Sequence, residues 1–255
     1  MIKICSVAFL SLLLSASSLF AQTKTFAGAD YSQGIVFVME NNQMVWKHKA
    51  PDSNDLWILP NGNILFTTGH GEMTRQNDTI FHYESKSPVF ACQRLKNGNT
   101  FVGECVTGRM LEISPKGKIV KETCILPKGV KDGGFAFMRN ARRLDNGHFL
   151  VAHYGDQCVK EYDANGKVVW KLDVPGGPHS LTRLPNGHTL IAVADKDQNP
   201  RLIEVTPEGK TIWEISNADI PGKPLKFLGG FQYFSDGRFL ITNWTGHVNP
   251  KEKVH

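Results

Sequence analysis

Cysteine is scarce in this chain: none of its 5 copies sits in a CxxC or a Cys/His spacing that would hold zinc, so a zinc site and a dithiol redox centre are not expected. No window shows sustained helical periodicity after the first twenty residues, which argues against a helical bundle. The formal net charge of +5 is spread along the 255 residues with no basic run, so no phosphate backbone is tracked and a nucleic-acid partner is not expected. There is no Gly-x-Ser-x-Gly elbow, no His-Glu-x-x-His and no phosphate-cradling glycine loop, and hydrolysis by a serine triad is therefore unsupported. The longest apolar stretch, Val7 to Leu14, is too short to span a membrane.

That stretch has another reading. Lys3 gives a positive start, and the small residues ending at Ala21 supply a cleavage site before Gln22. Residues 1–21 read as a secretory signal peptide and 22–255 as the mature domain, exported to a periplasm or the medium. Cys5 lies too early to be a lipoprotein cysteine. Asn77-Asp78-Thr79 and Asn243-Trp244-Thr245 match the glycosylation sequon by chance in that setting.

What the sequence has in quantity is turns. Asn61-Gly62, Asn97-Gly98, Asn146-Gly147, Asn186-Gly187 and Asp236-Gly237 each separate two short apolar runs, and the glycines follow one another at 36, 49, 40 and 50 residues. The surrounding text nearly repeats: Arg94-Leu95-Lys96-Asn97-Gly98, Arg143-Leu144-Asp145-Asn146-Gly147, Arg183-Leu184-Pro185-Asn186-Gly187. A second hairpin follows in each unit, clearest in Val159 to Trp170 and Leu202 to Trp213, with weaker copies at Met110 to Val120 and Val36 to Trp46. Glycine supplies the positive φ that a tight hairpin needs. Alternating β-branched and polar residues suit strands half buried between neighbours. A β-rich period of about 40–50 residues is that of a propeller blade. The fold expected is all-β, a β-propeller of four-stranded blades with five repeat units. Trp46, Trp170 and Trp213 are expected as apolar wedges between blades.

The orphan hairpins at the two ends, residues 34–46 and 231–243, would pair to complete one blade of a five-bladed ring. Lys253-Val254-His255 resembles the start of another hairpin, which leaves a shortened six-bladed ring as the alternative. Cys92 and Cys105 flank the Asn97-Gly98 turn, with Cys92 expected opposite Gly103. A disulfide between them needs some strand shift, although export permits one. Otherwise they are small buried apolar residues.

The Arg-Leu-Pro-Asn-Gly-like turn followed by Gly166-Lys167-Val168-Val169-Trp170 resembles the PQQ-like propeller repeat superfamily, including exported bacterial propellers of the arylsulfotransferase type. The resemblance covers nearly all of the mature chain. It implies a propeller and, for activity, group transfer such as sulfuryl transfer. In that reading His153 or His179 would act as nucleophile or acid/base and Arg139 would hold a sulfuryl oxygen. PQQ as a cofactor is implied by the resemblance only, since no quinone-binding residue set maps onto this sequence.

Blade topology locates the chemistry. The Asn-Gly and Gly-Lys turns share one face, and the opposite face receives the long irregular connections, where propellers usually bind. Leaving second strands toward that face are His70, Glu104, His153, Asp156, Asp195, Asn243 and Trp244. Entering first strands are Arg139, Asn140, His179 and Gln232. Glu104, Arg139, Asn140, His153 and His179 are expected to line one pocket. Convergent His, Arg and carboxylate groups could coordinate a metal, hold an anion or pass protons; capping the channel is the structural alternative. Asp195 to Asn199 opens like a calcium loop, but Pro200 and Thr206 replace the required glycine and glutamate, so the acids read as solvated turn residues. Two functions follow. The leading one is a monomeric exported binding module for a small polar ligand, glycan or protein partner. The alternative is an enzyme of group-transfer, lyase or hydrolase type at the same place. The module leads because no nucleophile–base pair is recognisable.

Overall fold

A computed structural model describes residues 25–68, 71–194, 199–222, 224–234 and 237–244. Residues 1–21, His70, Asp195, Asp236, Thr245 and Lys253-Val254-His255 lie outside the described residues. The chain is an all-β propeller of consecutive antiparallel meanders. The first sheet holds β1 (Thr25–Asp30), β2 (Ile35–Glu40) and β3 (Gln43–Lys49). The second holds β4 (Leu56–Ile58), β5 (Ile64–Phe66), β6 (Glu72–Met73) and β7 (Thr79–Phe81). The third runs through β8 (Val89–Arg94), β9 (Thr100–Glu104), β10 (Arg109–Ile113) and β11 (Ile119–Cys124). The fourth is β12 (Asn140–Arg143), β13 (Phe149–His153), β14 (Cys158–Tyr162) and β15 (Val168–Asp173). The fifth is β16 (Pro178–Arg183), β17 (Thr189–Val193), β18 (Arg201–Val205) and β19 (Thr211–Ile215), and the last pairs β20 (Leu228–Tyr233) with β21 (Phe239–Asn243).

The core lies between sheets rather than inside one. Phe90, Phe101 and Met110 of the third sheet pack on Ala141, Phe149 and Val151 of the fourth. Leu150 and Val159 of the fourth meet Leu181, Ile191 and Ile203 of the fifth. The second strands β9, β13 and β17 bury both faces against neighbours and are buried at every position. The tryptophans act as expected. Trp170 donates from Nε1 to Pro207 O of the next sheet at 2.8 Å, and Trp213 stacks on Phe239 at 5.1 Å. Trp46 is 7% exposed.

The repeated motif has a mechanical meaning. Each Asn-Gly hairpin is a three-residue loop: Gly98 N donates to Leu95 O and Leu95 N to Asn99 O, with Gly98 at φ +84°. The same pattern recurs at Gly62, Gly147, Gly187 and Gly237. This is a type I turn closed by a left-handed residue, where a Cβ would be strained. The repeat arginine then caps the turn, Arg183 Nη1 donating to Gly187 O at 2.9 Å and Arg94 Nη1 to Gly98 O at 3.3 Å. It also reaches a third-strand glutamate of the preceding sheet: Arg94 pairs with Glu72, and Arg183 Nη2 with Glu161 at 2.8 Å. The residue after the turn glycine holds the third-strand glutamate of its own sheet, as in Asn63–Glu72, Asn99–Glu112, His148–Glu161 and His188–Glu204, each at 2.7 Å. The repeat is a set of staples joining blade to blade.

Two expectations are corrected. Residues 34–46 do not pair with residues 231–243: β2 pairs with β1 and β3, and β20 with β21 alone. The described residues form six sheets, the first three-stranded and the last two-stranded, so the repeat units stand while the pairing expected to close them into five blades does not. The cause is β1, whose Thr-Phe-Ala-Gly-Ala-Asp text carries little strand signal. Its Gly28 sits opposite Phe37, and a Cβ there would lie 2.6 Å from the ring's Cζ. The glycine is a seat for the aromatic. Of the two readings of Cys92 and Cys105 the structure has the second, both thiols being free and buried, but their expected register is corrected. The three-residue loop sets Cys92 opposite Val102 rather than Gly103. Cys92 Sγ lies 3.8 Å from Asp55 O, while Cys105 Sγ lies 3.0 Å from Met138 O.

Candidate functional site

The first strands β4, β8, β12, β16 and β20, together with β1, surround a cavity of ≈ 1760 Å³. Small-molecule sites occupy roughly 300–1,000 Å³, so one such ligand fills only part of it. Among the described residues no strand lies inside β1 in the first sheet, and all of Thr25–Asp30 borders the space. At the face opposite the Asn-Gly turns, strand ends and connections bring in Tyr31, Ser53, Phe135, Arg139, Tyr154, His179, Phe227 and Trp244.

Most charges in this lining are already matched. Asp55 and Arg142 form a buried two-bond pair, Nη1 to Oδ2 at 2.6 Å and Nη2 to Oδ1 at 3.0 Å. Asp55 Oδ2 also accepts from Cys92 N at 3.0 Å, and Trp57 donates to Cys92 O at 2.6 Å beneath the Arg142 guanidinium. Together these tie three inner strands around the channel. Arg183 is taken by Glu161, and Asp30 by Gln33. Tyr31 bonds Asp52, and its hydroxyl pKa is raised, by burial first and then by that carboxylate.

Arg139 differs. Its guanidinium carbon lies 5.2 Å from the centre of the Phe90 ring and 5.4 Å from that of Tyr154. Among the described residues no carboxylate pairs with it, and its Nε is buried without a hydrogen-bond partner. Next to it Asn140, 3% exposed, leaves Oδ1 in the same condition, as Ser53, 4% exposed, leaves Oγ. Buried polar atoms are almost always satisfied in folded proteins. Three such unpartnered atoms border this one cavity.

His179 sits beside this group. With the carbonyl of Gly229 2.7 Å from Nδ1, the ring donates its N–H there, which leaves Nε2 as the unprotonated nitrogen. Burial holds its pKa down at about 4, and Arg139 adds to the depression against the pull of Gly229 O. It is a neutral acceptor at neutral pH. Phe227 meets its ring edge-on at 5.1 Å and Trp244 meets Phe227 at 5.2 Å, while Tyr154 stands 6.4 Å away on the other side. Asn243 builds this wall from behind, accepting from Lys226 N at 2.8 Å and donating to Pro224 O at 3.1 Å.

Of the five residues expected to share one pocket, Arg139, Asn140 and His179 border the cavity, as do Gln232, Asn243 and Trp244. Glu104 and His153 do not. Glu104, 1% exposed, is closed in by Tyr83, Ser85, Thr107 and Arg109. His153 is fully buried, with Phe137 O 2.7 Å from Nδ1 and the Tyr162 hydroxyl 2.8 Å from Nε2. Both ring nitrogens are used, and burial drives its pKa down to about 4. Asp156 is exposed and paired with Lys160. The second-strand ends at Glu104 and His153 turn away from the cavity, whereas the first-strand ends at Arg139, Asn140 and His179 border it, as do Asn243 and Trp244 at the end of β21. His70 and Asp195 lie outside the described residues. Among those described, no cluster of three His, Cys, Asp or Glu side chains could hold a metal ion.

Sequence reasoning passed over Asp55, Trp57, Phe90, Arg142, Tyr154 and Phe227. Register could have found some of them. Arg142 stands just before a repeat arginine, where Gln93 and Thr182 stand in other units. The aromatics carry no such marker.

No family model matches the chain, and no curated protein matches it by sequence. Solved structures do. A protein of unknown function from Bacteroides caccae is 21% identical over 89% of this chain and 85% of its own, with a TM-score of 0.75. Virginiamycin B lyase from Staphylococcus aureus is 13% identical over 86% of this chain and 76% of its own, with a TM-score of 0.59. That lyase is also known as a catalytically inactive histidine-to-alanine variant with quinupristin. BBS1N in complex with ARL6DN is 13% identical over 88% of this chain and 86% of its own, at a TM-score of 0.53. At such identities the likeness is one of fold, and the propeller is what these structures share with this chain.

Proposed function

We propose that the protein is an exported, monomeric binding module that takes a small anionic ligand at the mouth of its channel. The observation carrying this is Arg139, a cation held between two rings at the cavity wall with a buried, unpartnered Nε and no carboxylate among the described residues. In a low-dielectric wall a guanidinium that no side chain neutralises gains most from an oxyanion, through charge-assisted hydrogen bonds. Export rests on the leader sequence of residues 1–21. Kinship with PQQ-like repeats rests on the Arg-Leu-x-Asn-Gly and Gly-Lys-Val-Val-Trp text, and the site offers no reason to add the quinone.

A thermal-shift screen of small anions, neutral molecules and cations against the full chain and its Arg139→Gln variant tests the reading. A ligand at 100 times its Kd adds about 2.7 kcal/mol of stability. Anions should raise the melting temperature of the parent and leave the variant unmoved. Equal shifts in both proteins would remove Arg139, and this reading, from consideration.

A second reading has one observation in its favour. His179 is a neutral base beside a cation, a pairing suited to removing a proton while charge builds on a neighbouring oxygen, and one structural neighbour is a lyase in which a histidine-to-alanine variant is inactive. Product formation abolished by His179→Ala, with ligand affinity kept, would move the protein from module to enzyme.

A further inference from the structure

The atoms left open at the mouth describe what a ligand must carry. Arg139 presents a cation, Asn140 a buried carbonyl oxygen and His179 the lone pair of Nε2, since its other nitrogen is spent on Gly229 O. What this group lacks is one anion and a hydrogen-bond donor. The walls around it are flat and apolar: Phe90 and Tyr154 flank Arg139, and Phe227 meets His179 edge-on. Rings standing at steep angles to one another make a slot in which another ring finds both faces and edges.

Resting on the mouth-binding reading above, we propose that the ligand is a hydroxylated aromatic carboxylic acid. Its carboxylate lies on Arg139, its ring stands among Phe90, Tyr154 and Phe227, and its hydroxyl donates to Asn140 Oδ1 or His179 Nε2. A neutral sugar would leave the Arg139 guanidinium without a counter-charge. An aliphatic acid would satisfy Arg139 and leave the rings unused. Asn140 adds a separate argument. A buried amide oxygen without a partner is costly to keep, so its presence is accounted for by what it binds.

Calorimetric titration of the full chain with 4-hydroxybenzoate, benzoate, 4-methylphenol and cyclohexanecarboxylate tests this. The hydroxybenzoate should bind most tightly, and losing its carboxylate, a charged hydrogen-bonding partner, should weaken binding by about 10–100-fold. Loss of the ring hydroxyl or of aromaticity should each cost about 3–10-fold. Asn140→Leu should fold with undiminished stability and bind benzoate and 4-hydroxybenzoate more nearly alike. Arg139→Gln should bind the hydroxybenzoate no better than the phenol, with Arg139→Lys recovering part of the difference. If cyclohexanecarboxylate binds as tightly as the aromatic acids and still needs Arg139, the aromatic class is wrong and the anion site stands. If none of the acids binds, the ligand class is overturned; if they bind equally to Arg139→Gln, the mouth reading falls with it.

Discussion

Acid should unfold this protein through His153 before it reaches most of its carboxylates. The imidazole has no exposed surface, donates from Nδ1 to Phe137 O and accepts from the Tyr162 hydroxyl on Nε2. Protonation would put a charge in the core and set two donors against each other at Nε2. Burial, followed by Lys160, therefore lowers its pKa from 6.5 to about 4. Because the folded value is the lower one, the unfolded chain binds the extra proton first. The stability is fully present above pH 6.5 and is lost as pH falls from there toward 4. At 1.36 kcal/mol per pH unit the full loss is about 3 kcal/mol, of which about 2 kcal/mol is gone at pH 5. Urea denaturation at pH 7.5, 6, 5 and 4.5 measures it, with His153→Phe as the reference. That variant should be weaker at pH 7.5, having stranded Phe137 O and the Tyr162 hydroxyl, yet lose about 2 kcal/mol less between pH 7.5 and 5. Parallel pH profiles for the two proteins would refute the argument.

Two further outcomes follow from the packing. Asp55→Ala leaves the Arg142 guanidinium buried without its partner and removes the acceptor for Cys92 N; the expected cost is about 3–5 kcal/mol in urea denaturation, and a loss under 1 kcal/mol would show that the channel staple is not structural. Gly28→Val should cost about 1–3 kcal/mol through overpacking on Phe37, and combining it with Phe37→Ala should recover part of the loss; an unchanged denaturation midpoint for Gly28→Val would mean that β1 does not hold that register.

Hairpins and repeats were legible in the sequence because they rest on local chemistry: a left-handed glycine after a type I turn, and alternating apolar residues on either side. The inner strand β1 was not, because Ala27, Gly28 and Ala29 owe their conformation to Phe37 and the second sheet rather than to propensity. The candidate site divides along the same line. Strand-end positions pointed to Arg139, Asn140 and His179, which border one cavity, since blade topology alone sets that face. It could not separate these first-strand ends from the second-strand ends at Glu104 and His153 that turn away from the cavity, which is why those two were grouped with them. Asp55 and Arg142 meet across 87 residues of chain. That partnership has no local trace.

The central claim is that the mouth cation binds an anion while the other channel arginines hold the ring. The most direct measurement is an NMR titration of the arginine Nε–H resonances of the isotope-labelled full chain with 4-hydroxybenzoate. Arg139, whose Nε is unpartnered, should shift and saturate, while Arg142 and Arg183 stay within the spread of the unaffected signals. Saturating shifts at Arg142 or Arg183 with Arg139 unmoved would contradict the account.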